Sequence, residues 1–313
     1  MQVILGAGGD IGTLLARELK AFTNQVRLVA RQPRQVNGDD ELFPADLLDA
    51  EKVLEAVAGT DVAYLVAGLK YDRRIWARQW PVIMRNVIDA CLKHGTKLVF
   101  FDNVYLYDQT AIPHMTEASP ANPPSQKGHI RLQLVQMVNA AIADHGLQAL
   151  IARCADFYGP GAKNGILNML VLTDVARGKK AKWQANVEKV HSFTYTPDAA
   201  KATAMLGNEP GAYGQVWHLP TSPERLTGRD LIELTAGAMG SRPGYTVLTP
   251  LLLSLAGLFD RTIKELVEMQ YQNDRDYFFD SSKFCEAFKF TPTRYEAGIR
   301  AVLATEAASA RPQ

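Results

Sequence analysis

Gly6, Gly9 and Gly12 recur at three-residue spacing between the apolar run Gln2-Val3-Ile4-Leu5 and a segment, Ile11 to Phe22, whose apolar residues follow helical spacing. Glycine accepts positive φ and lets backbone amides come close to an anion, while the start of a helix contributes the positive end of its dipole. The turn Gly6-Ala7-Gly8-Gly9-Asp10-Ile11-Gly12 therefore suits a pyrophosphate, with Gly12 allowing the helix to pack closely on the strand. The bland alternative is a tight strand-to-helix turn that binds nothing. Arg31 and Arg34 follow the next apolar run, Val26-Arg27-Leu28-Val29-Ala30, with no carboxylate nearby. An acid at that place would bind a ribose 2′-hydroxyl, whereas arginine pairs with a 2′-phosphate. The combination points to a dinucleotide, NADP(H) ahead of NAD; the competing reading makes both arginines ordinary solvated side chains.

These groups need a scaffold that brings strand ends together. Short β-like runs alternate with longer helical patterns through the first half, the signature of a parallel sheet covered by helices. Strands are expected at 2–5, 26–30, 62–67, 97–101, 150–152 and 215–219, with one more just before Ala45. Helices are expected over Ala50–Val57, over Val82–Lys93 ending at Gly95, and over Gly128–His145 ending at Gly146. The proline-rich and polar stretch Pro113–Ser125 reads as a loop. Regularity fades after Asp156, and helical patterns dominate from Ser222. The expected fold class is α/β, a doubly wound parallel sheet followed by a smaller, mostly helical C-terminal domain. Residues 1–160, with 190–221 returning, would form the first domain, and 161–189 with 222–313 the second.

In open α/β sheets ligands bind beyond the carboxyl ends of the strands. Asp46 and Leu47 follow the third strand, and Asp46 either accepts from an adenine amino group or, with Asp49, serves the helix that starts near Ala50. Ala67 and Gly68 follow the fourth strand and belong near the nicotinamide end, with Tyr71 close behind as a further substitute proton donor. Tyr105 and Tyr107 follow the fifth strand, as proton donors or as wall. Asp156 and Tyr158 follow the sixth, Asp156 orienting a substrate or stabilising a turn. Lys127 and Arg131 are one helical turn apart and share a face. Turned toward a cofactor they form a cationic pair for a ribose, carboxylate or phosphate; otherwise they are exposed bases at a helix start.

Composition narrows the classes. The chain has 313 residues, 47% hydrophobic and 21% charged, with a formal charge of +1. That balance gives no broad positive field for nucleic acid or an anionic membrane. Cys91, Cys154 and Cys285 are far apart and show no CxxC pairing, which suits small core residues in a reducing compartment. His114, His129 and His191 lack metal-ligand spacing, so no metal site is expected. The run Leu251–Phe259 is too short to span a bilayer and reads as a buried or interface helix. With a strand starting at the N-terminus and no room for a signal peptide, a cytoplasmic protein is expected.

At this point the chain resembles the extended short-chain dehydrogenase/reductase superfamily, especially its NAD-dependent epimerase/dehydratase branch. Gly6, Gly9 and Gly12 match the family's GxxGxxG. Arg153-Cys154-Ala155-Asp156-Phe157-Tyr158-Gly159-Pro160-Gly161 looks like its RxxxxYGPG stretch. His191 to Asp198, and Asp280-Ser281-Ser282-Lys283 with Phe290-Thr291-Pro292, resemble later family segments. The resemblance implies a Rossmann domain, a substrate domain, a nucleotide-sugar or other small polar substrate, and hydride chemistry assisted by a Tyr and Lys four residues apart. It also implies a homodimer with a four-helix seam made by the helices at 82–93 and 128–145.

The chain departs from the family at the proton-transfer group. The helix begins Ser125-Gln126-Lys127-Gly128-His129-Ile130-Arg131 without the YxxxK pattern, and Asn103 stands where the family has Ser or Thr. An asparagine can hydrogen-bond a carbonyl or hydroxyl but is no ordinary proton shuttle. Lys127-Gly128-x-x-Arg131 resembles atypical members that keep the cofactor turn without the usual active site. Two functions follow: an oxidoreductase or epimerase-like enzyme in which Tyr105 or Tyr107, aided by Lys127, replaces the missing tyrosine, or a non-catalytic NADP(H) sensor. Tyr195 and Asp198 are expected to fix the substrate-domain segment, Asp198 by capping a helix at 199–206.

Overall fold

A computed structural model describes residues 1–249, 252–253 and 261–309. The helix expected over Leu251–Phe259 lies, apart from Leu252 and Leu253, outside the described residues. The chain divides into two compact units, one of residues 1–106, 126–154 and 199–219 and the other of 107–125, 155–198 and 220–313. The loop at 107–125, the segments 155–160 and 190–198, and residues 220–221 fall in the second unit, whereas the sequence reading put all of them in the first domain.

The first unit is a seven-stranded sheet in the order β10-β6-β5-β4-β1-β2-β3. Its strands are β1 (Gln2–Leu5), β2 (Val26–Ala30), β3 (Glu41–Pro44), β4 (Val62–Leu65), β5 (Lys97–Asn103), β6 (Ala149–Cys154) and β10 (Val216–His218). Every pairing is parallel. Sheets covered on both faces need strands that are apolar without alternation, and β1, β4 and β6 are buried at every residue. From β1 the chain runs outward to β2 and β3, then returns to β4, β5 and β6 on the other side. The order therefore reverses between β1 and β4, where such sheets open a crevice for ligands.

Helices α1 (Asp10–Glu18), α2 (Ala50–Val57), α3 (Arg73–His94) and α4 (Gln126–His145) connect these strands. Helix α1 buries Ile11, Leu15 and Ala16, the i, i+4 stripe that its sequence shows. Asp49 caps α2 by accepting from the Lys52 amide at 3.1 Å. Helix α3 starts at Arg73 and not at Val82. Asp72 caps it, accepting from the amides of Arg74 (2.9 Å) and Ile75 (3.4 Å), and the helix continues through Pro81. Proline there removes one backbone bond, and burial of Trp76 and Trp80, both in the stretch just before it, offsets the loss. Gly95, at φ 66°, ends the helix in the left-handed region.

The second unit holds the loop with Met115, two parallel strand pairs and several helices. Strand β7 (Asp156–Tyr158) pairs with β9 (Phe193–Tyr195), and β8 (Ala181–Gln184) with β11 (Tyr245–Leu248). Its core packs Tyr158, Val171, Trp183, Phe193, Leu231 and Tyr295, among others. The Tyr158 ring lies 5.4 Å from that of Tyr195 and 5.8 Å from that of Tyr295. Gly298 is obligatory there, since a Cβ would meet the Tyr158 hydroxyl at 2.3 Å. Asp198 lies inside the helix Thr196–Gly207, and its carboxylate accepts from the Thr293 amide (2.7 Å) and hydroxyl (3.0 Å). It ties down the chain at Thr293, which corrects its expected role as cap of a helix beginning at 199.

Among the described residues no helix is long and apolar enough to cross a membrane. Cys91 and Cys154 are buried and Cys285 is half-buried. Burial pushes the Cys91 thiol up to about 12, so it stays protonated and unreactive near neutral pH. Brief alkylation of the native protein is expected to label Cys285 first and to spare Cys91 and Cys154 until denaturant is added, as read by peptide mass spectrometry.

Candidate active site

The glycine turn has the shape its composition suggests. Gly6 sits at φ 97°, and a Cβ there would lie 2.4 Å from the Ala67 Cα at the end of β4. Only glycine combines that backbone conformation with that approach. A Cβ on Gly12 would come within 2.8 Å of the Ala7 Cα, so α1 rests directly on the turn. A Cβ on Gly8 would meet nothing within 4 Å, and Gly8 and Gly9 are exposed. Gly9 occupies the N-cap position of α1 without a side-chain cap. Gly9 thus gives the first turn of α1, Ile11 and Gly12 included, no side-chain cap, the arrangement in which a helix start can receive an anion. Asp10 stands in the first helical turn.

The remaining residues expected along a dinucleotide fall on the same edge of the first unit. Arg31 and Arg34 are exposed just after β2. Asp46 is exposed, and its carboxylate accepts from the Leu48 amide at 3.0 Å, while Asp49 takes the capping role. Leu47 is buried, and its carbonyl accepts from Asn86 Nδ2 at 3.0 Å. Ala67 is half-buried against Gly6, and Gly68 is exposed. An open glycine cradle, an uncapped helix start and two exposed guanidiniums fit an anionic dinucleotide. A bound nicotinamide would supply reversible two-electron hydride chemistry.

Next to β1 the ends of β4 and β5 carry an aromatic and basic cluster. Lys127, in the first turn of α4, has no exposed surface, and its Nζ lies 4.6 Å from the centroid of the Tyr71 ring. The Tyr71 hydroxyl is 3.4 Å from that of Tyr105. Trp76 faces both phenols, stacked on Tyr105 at 6.2 Å and edge-on to Tyr71 at 5.8 Å. Its indole N–H donates to the Lys70 carbonyl at 3.0 Å, which fixes the plane of the ring. The Asn103 Oδ1 accepts from the Tyr105 amide at 3.1 Å and holds the turn that presents Tyr105.

Arg131 does not share this setting. Its Nε donates to Asp102 Oδ1 at 2.7 Å, a terminal nitrogen pairs with the same oxygen, and the guanidinium packs over Trp80 (4.9 Å) and Phe100 (4.8 Å). Arg153 binds the other oxygen of Asp102 at 3.0 Å. The expected cationic pair facing a cofactor is therefore corrected: a helical turn separates Lys127 and Arg131 in sequence, but Asp102 holds the arginine in the buried interior. Tyr107 is buried and belongs to the second unit.

In the second unit Asp156 pairs with His191 Nε2 at 3.1 Å, and the imidazole stacks on Tyr277 with centroids 4.2 Å apart and planes 2° from parallel. The Asp156 amide donates to the Tyr277 hydroxyl at 3.2 Å. Sequence spacing held no sign of this cluster, because 35 residues separate Asp156 from His191. Tyr71 had been noted as a remote candidate. Its meeting with Tyr105 depends on the adjacency of β4 and β5, which the order of elements along the chain does not state.

Fold and turn together define a Rossmann-type α/β protein of the dinucleotide-binding class. The sequence model of the NAD dependent epimerase/dehydratase family matches residues 2–218, and the chain belongs to that family. It is 22% identical over 256 residues to a UDP-N-acetyl-alpha-D-glucosaminuronate decarboxylase of Bacillus cytotoxicus, covering 74% of this chain and 79% of that one. It is 24% identical over 256 residues to a dTDP-glucose 4,6-dehydratase of Streptomyces antibioticus, covering 80% of this chain and 70% of the other. Among solved structures, DesIV, a dTDP-glucose 4,6-dehydratase from Streptomyces venezuelae with NAD and TYD bound, superimposes with a TM-score of 0.79 at 18% identity, over 98% of this chain and 97% of that one.

Replacing Asp102 by alanine takes the shared carboxylate away from two buried guanidiniums. The expected loss is about 3–5 kcal/mol of unfolding free energy, measured by urea denaturation. A change below about 1 kcal/mol would mean that the three-residue cluster carries little of the structure.

Proposed function

We propose that the chain is an NADP(H)-binding oxidoreductase or epimerase-like enzyme acting on a small polar, nucleotide-sugar-like substrate. The observation that carries this reading is the turn at Gly6, where crowding by Ala67 excludes any side chain while Gly8 and Gly9 stay open and α1 brings no cap of its own. Preference for the 2′-phosphate rests on exposed Arg31 and Arg34 beyond β2 and on the lack of a nearby acid. The substrate class rests on the family and on the nucleotide sugars for which its relatives are named. The second unit is taken as the substrate domain.

Chemically, the residues of this chain would hold the pyrophosphate by main-chain N–H groups and neutralise a 2′-phosphate with guanidinium. Lys127 adds a fixed positive charge at the strand ends. A second reading, a non-catalytic NADP(H) sensor, draws support from Asn103, whose carboxamide carries no transferable proton and is tied to the Tyr105 amide. A homodimer through the outer faces of α3 and α4 completes the proposal. A groove of about 330 Å³ runs there beside Arg85, Ile88, Leu92, Met137 and Asp144. Sedimentation showing only monomer would remove that part.

Calorimetry is expected to detect NADPH binding. Arg31→Ala should weaken it by roughly 10- to 100-fold, the value of one charge-assisted contact, and leave NADH binding nearly unchanged. Gly6→Ala should abolish both and destabilise the protein by about 1–3 kcal/mol. Failure of both dinucleotides to bind the unmodified protein overturns the proposal.

A further inference from the structure

The buried lysine and the two phenols decide among the tyrosines that the sequence offers as substitute donors. A lysine with no exposed surface keeps its charge only when its surroundings return part of the lost hydration. Here the Tyr71 ring lies across the ammonium at 4.6 Å. The interaction also works in the other direction. A fixed cation beside a phenol favours the phenolate, and a second hydroxyl that can donate to the phenolate oxygen favours it further. Tyr71 has both, the ammonium of Lys127 against its ring and the Tyr105 hydroxyl 3.4 Å from its own.

Both tyrosines are half-buried, and Trp76 braces both rings. They follow β4 and β5, and β4 is the strand whose end packs on Gly6 of the phosphate turn. Asp72 directs its carboxylate to the amides of Arg74 and Ile75. Lys70 and Arg73 are further cations on the same segment. Beneath Tyr105, Asp102 is bound between Arg131 and Arg153.

We propose that Tyr71 is the proton-transfer residue of this protein, with Tyr105 and Lys127 as positioning residues that stabilise its phenolate. This rests on the dinucleotide-binding reading above for its redox partner. In the oxidative direction the Tyr71 phenolate oxygen takes the proton of a substrate hydroxyl. The O–H electron pair becomes the second bond of the carbonyl, and the adjacent C–H bond breaks with its electron pair leaving as hydride to the oxidised nicotinamide dinucleotide. In the reverse direction the Tyr71 phenol returns the proton to the alkoxide. Loss of a general acid–base group of this kind lowers turnover by about 10²- to 10⁴-fold.

The test needs no substrate. Ultraviolet difference titration of the free protein is expected to reveal one phenol ionising below the ordinary tyrosine range. Tyr71→Phe should remove that component, Tyr105→Phe should shift it upward, and Lys127→Met should raise its proton affinity about tenfold or more. Lys127→Arg should retain most of the effect. Phenylalanine removes only a hydroxyl from a half-buried side chain, and circular dichroism checks that each variant folds. A titration in which no phenol ionises early, or in which Tyr71→Phe leaves the early component intact, overturns the assignment. NADPH calorimetry on the same samples separates the two readings. Binding without an early phenol sinks only the Tyr71 assignment, whereas an early phenol without binding sinks the cofactor reading and, with it, the hydride step.

Discussion

Asp102 is the residue through which the first unit holds its working parts in register. It sits near the end of β5, directly opposite Arg153 of β6, and binds Arg131 of α4 with its other oxygen. One carboxylate therefore joins two strands and the helix that connects them. Burying these charges sacrifices hydration, and the attraction of one pair, about 4 kcal/mol at an effective dielectric near 20, returns only part of it. The cluster earns its place through specificity. A one-residue slip of β6 against β5 would turn Asp102 and Arg153 to opposite faces and take from Arg153 the carboxylate it shares with Arg131. Arg131 gains further from the Phe101 carbonyl and from the rings of Trp80 and Phe100, so its guanidinium is enclosed on several sides.

That constraint reaches the candidate site within a few residues. Tyr105 stands three positions after Asp102, and Lys127 stands one helical turn before Arg131. Fixing Asp102 and Arg131 against each other fixes the start of α4 against the end of β5, and so sets Lys127 beside the two phenols. Trp76 supplies the opposite wall, held by its bond to the Lys70 carbonyl and by the Asp72 cap that starts α3. A rigid support of this kind matters because proton transfer falls off steeply once the oxygens move apart.

Much of the scaffold was legible because parallel strands buried on both faces are written as unbroken apolar runs, as at Val3-Ile4-Leu5 and Leu150-Ile151-Ala152. The glycine turn was legible for a different reason: Gly6 and Gly12 answer to local crowding, which spacing records. The start of α3 was not. Pro81 looks like a helix beginning, and only the burial of Trp76 and Trp80 shows why the helix runs through it. Arg131 misled because helical spacing gives the face of a side chain but not its partner, here 29 residues away. A signal was present: Asp102 and Arg153 each interrupt an apolar strand with a charge of opposite sign. Opposite charges embedded in two buried runs have few ways to survive apart. Tyr71 needed the strand order itself, since only adjacency of β4 and β5 brings it to Tyr105.

On the proposed reading, backbone contacts would couple anion binding to cofactor choice. The carbonyl of Val29 accepts the amides of both Gly6 and Ala7, at 2.9 and 3.0 Å. Val29 lies in β2, two residues before Arg31, so the turn that would face a pyrophosphate is tied to the strand whose end presents the guanidinium. Any movement of β2 relative to β1 would displace the phosphate cradle and the arginine together. Changing Arg31 removes a charge and leaves those backbone bonds in place, whereas a side chain at Gly6 disturbs both the bonds and the close approach to Ala67. On the proposed reading, recognition of the dinucleotide backbone would lie in the main chain, and discrimination between its two forms would fall to one exposed stretch after β2, where it could change without unsettling the fold.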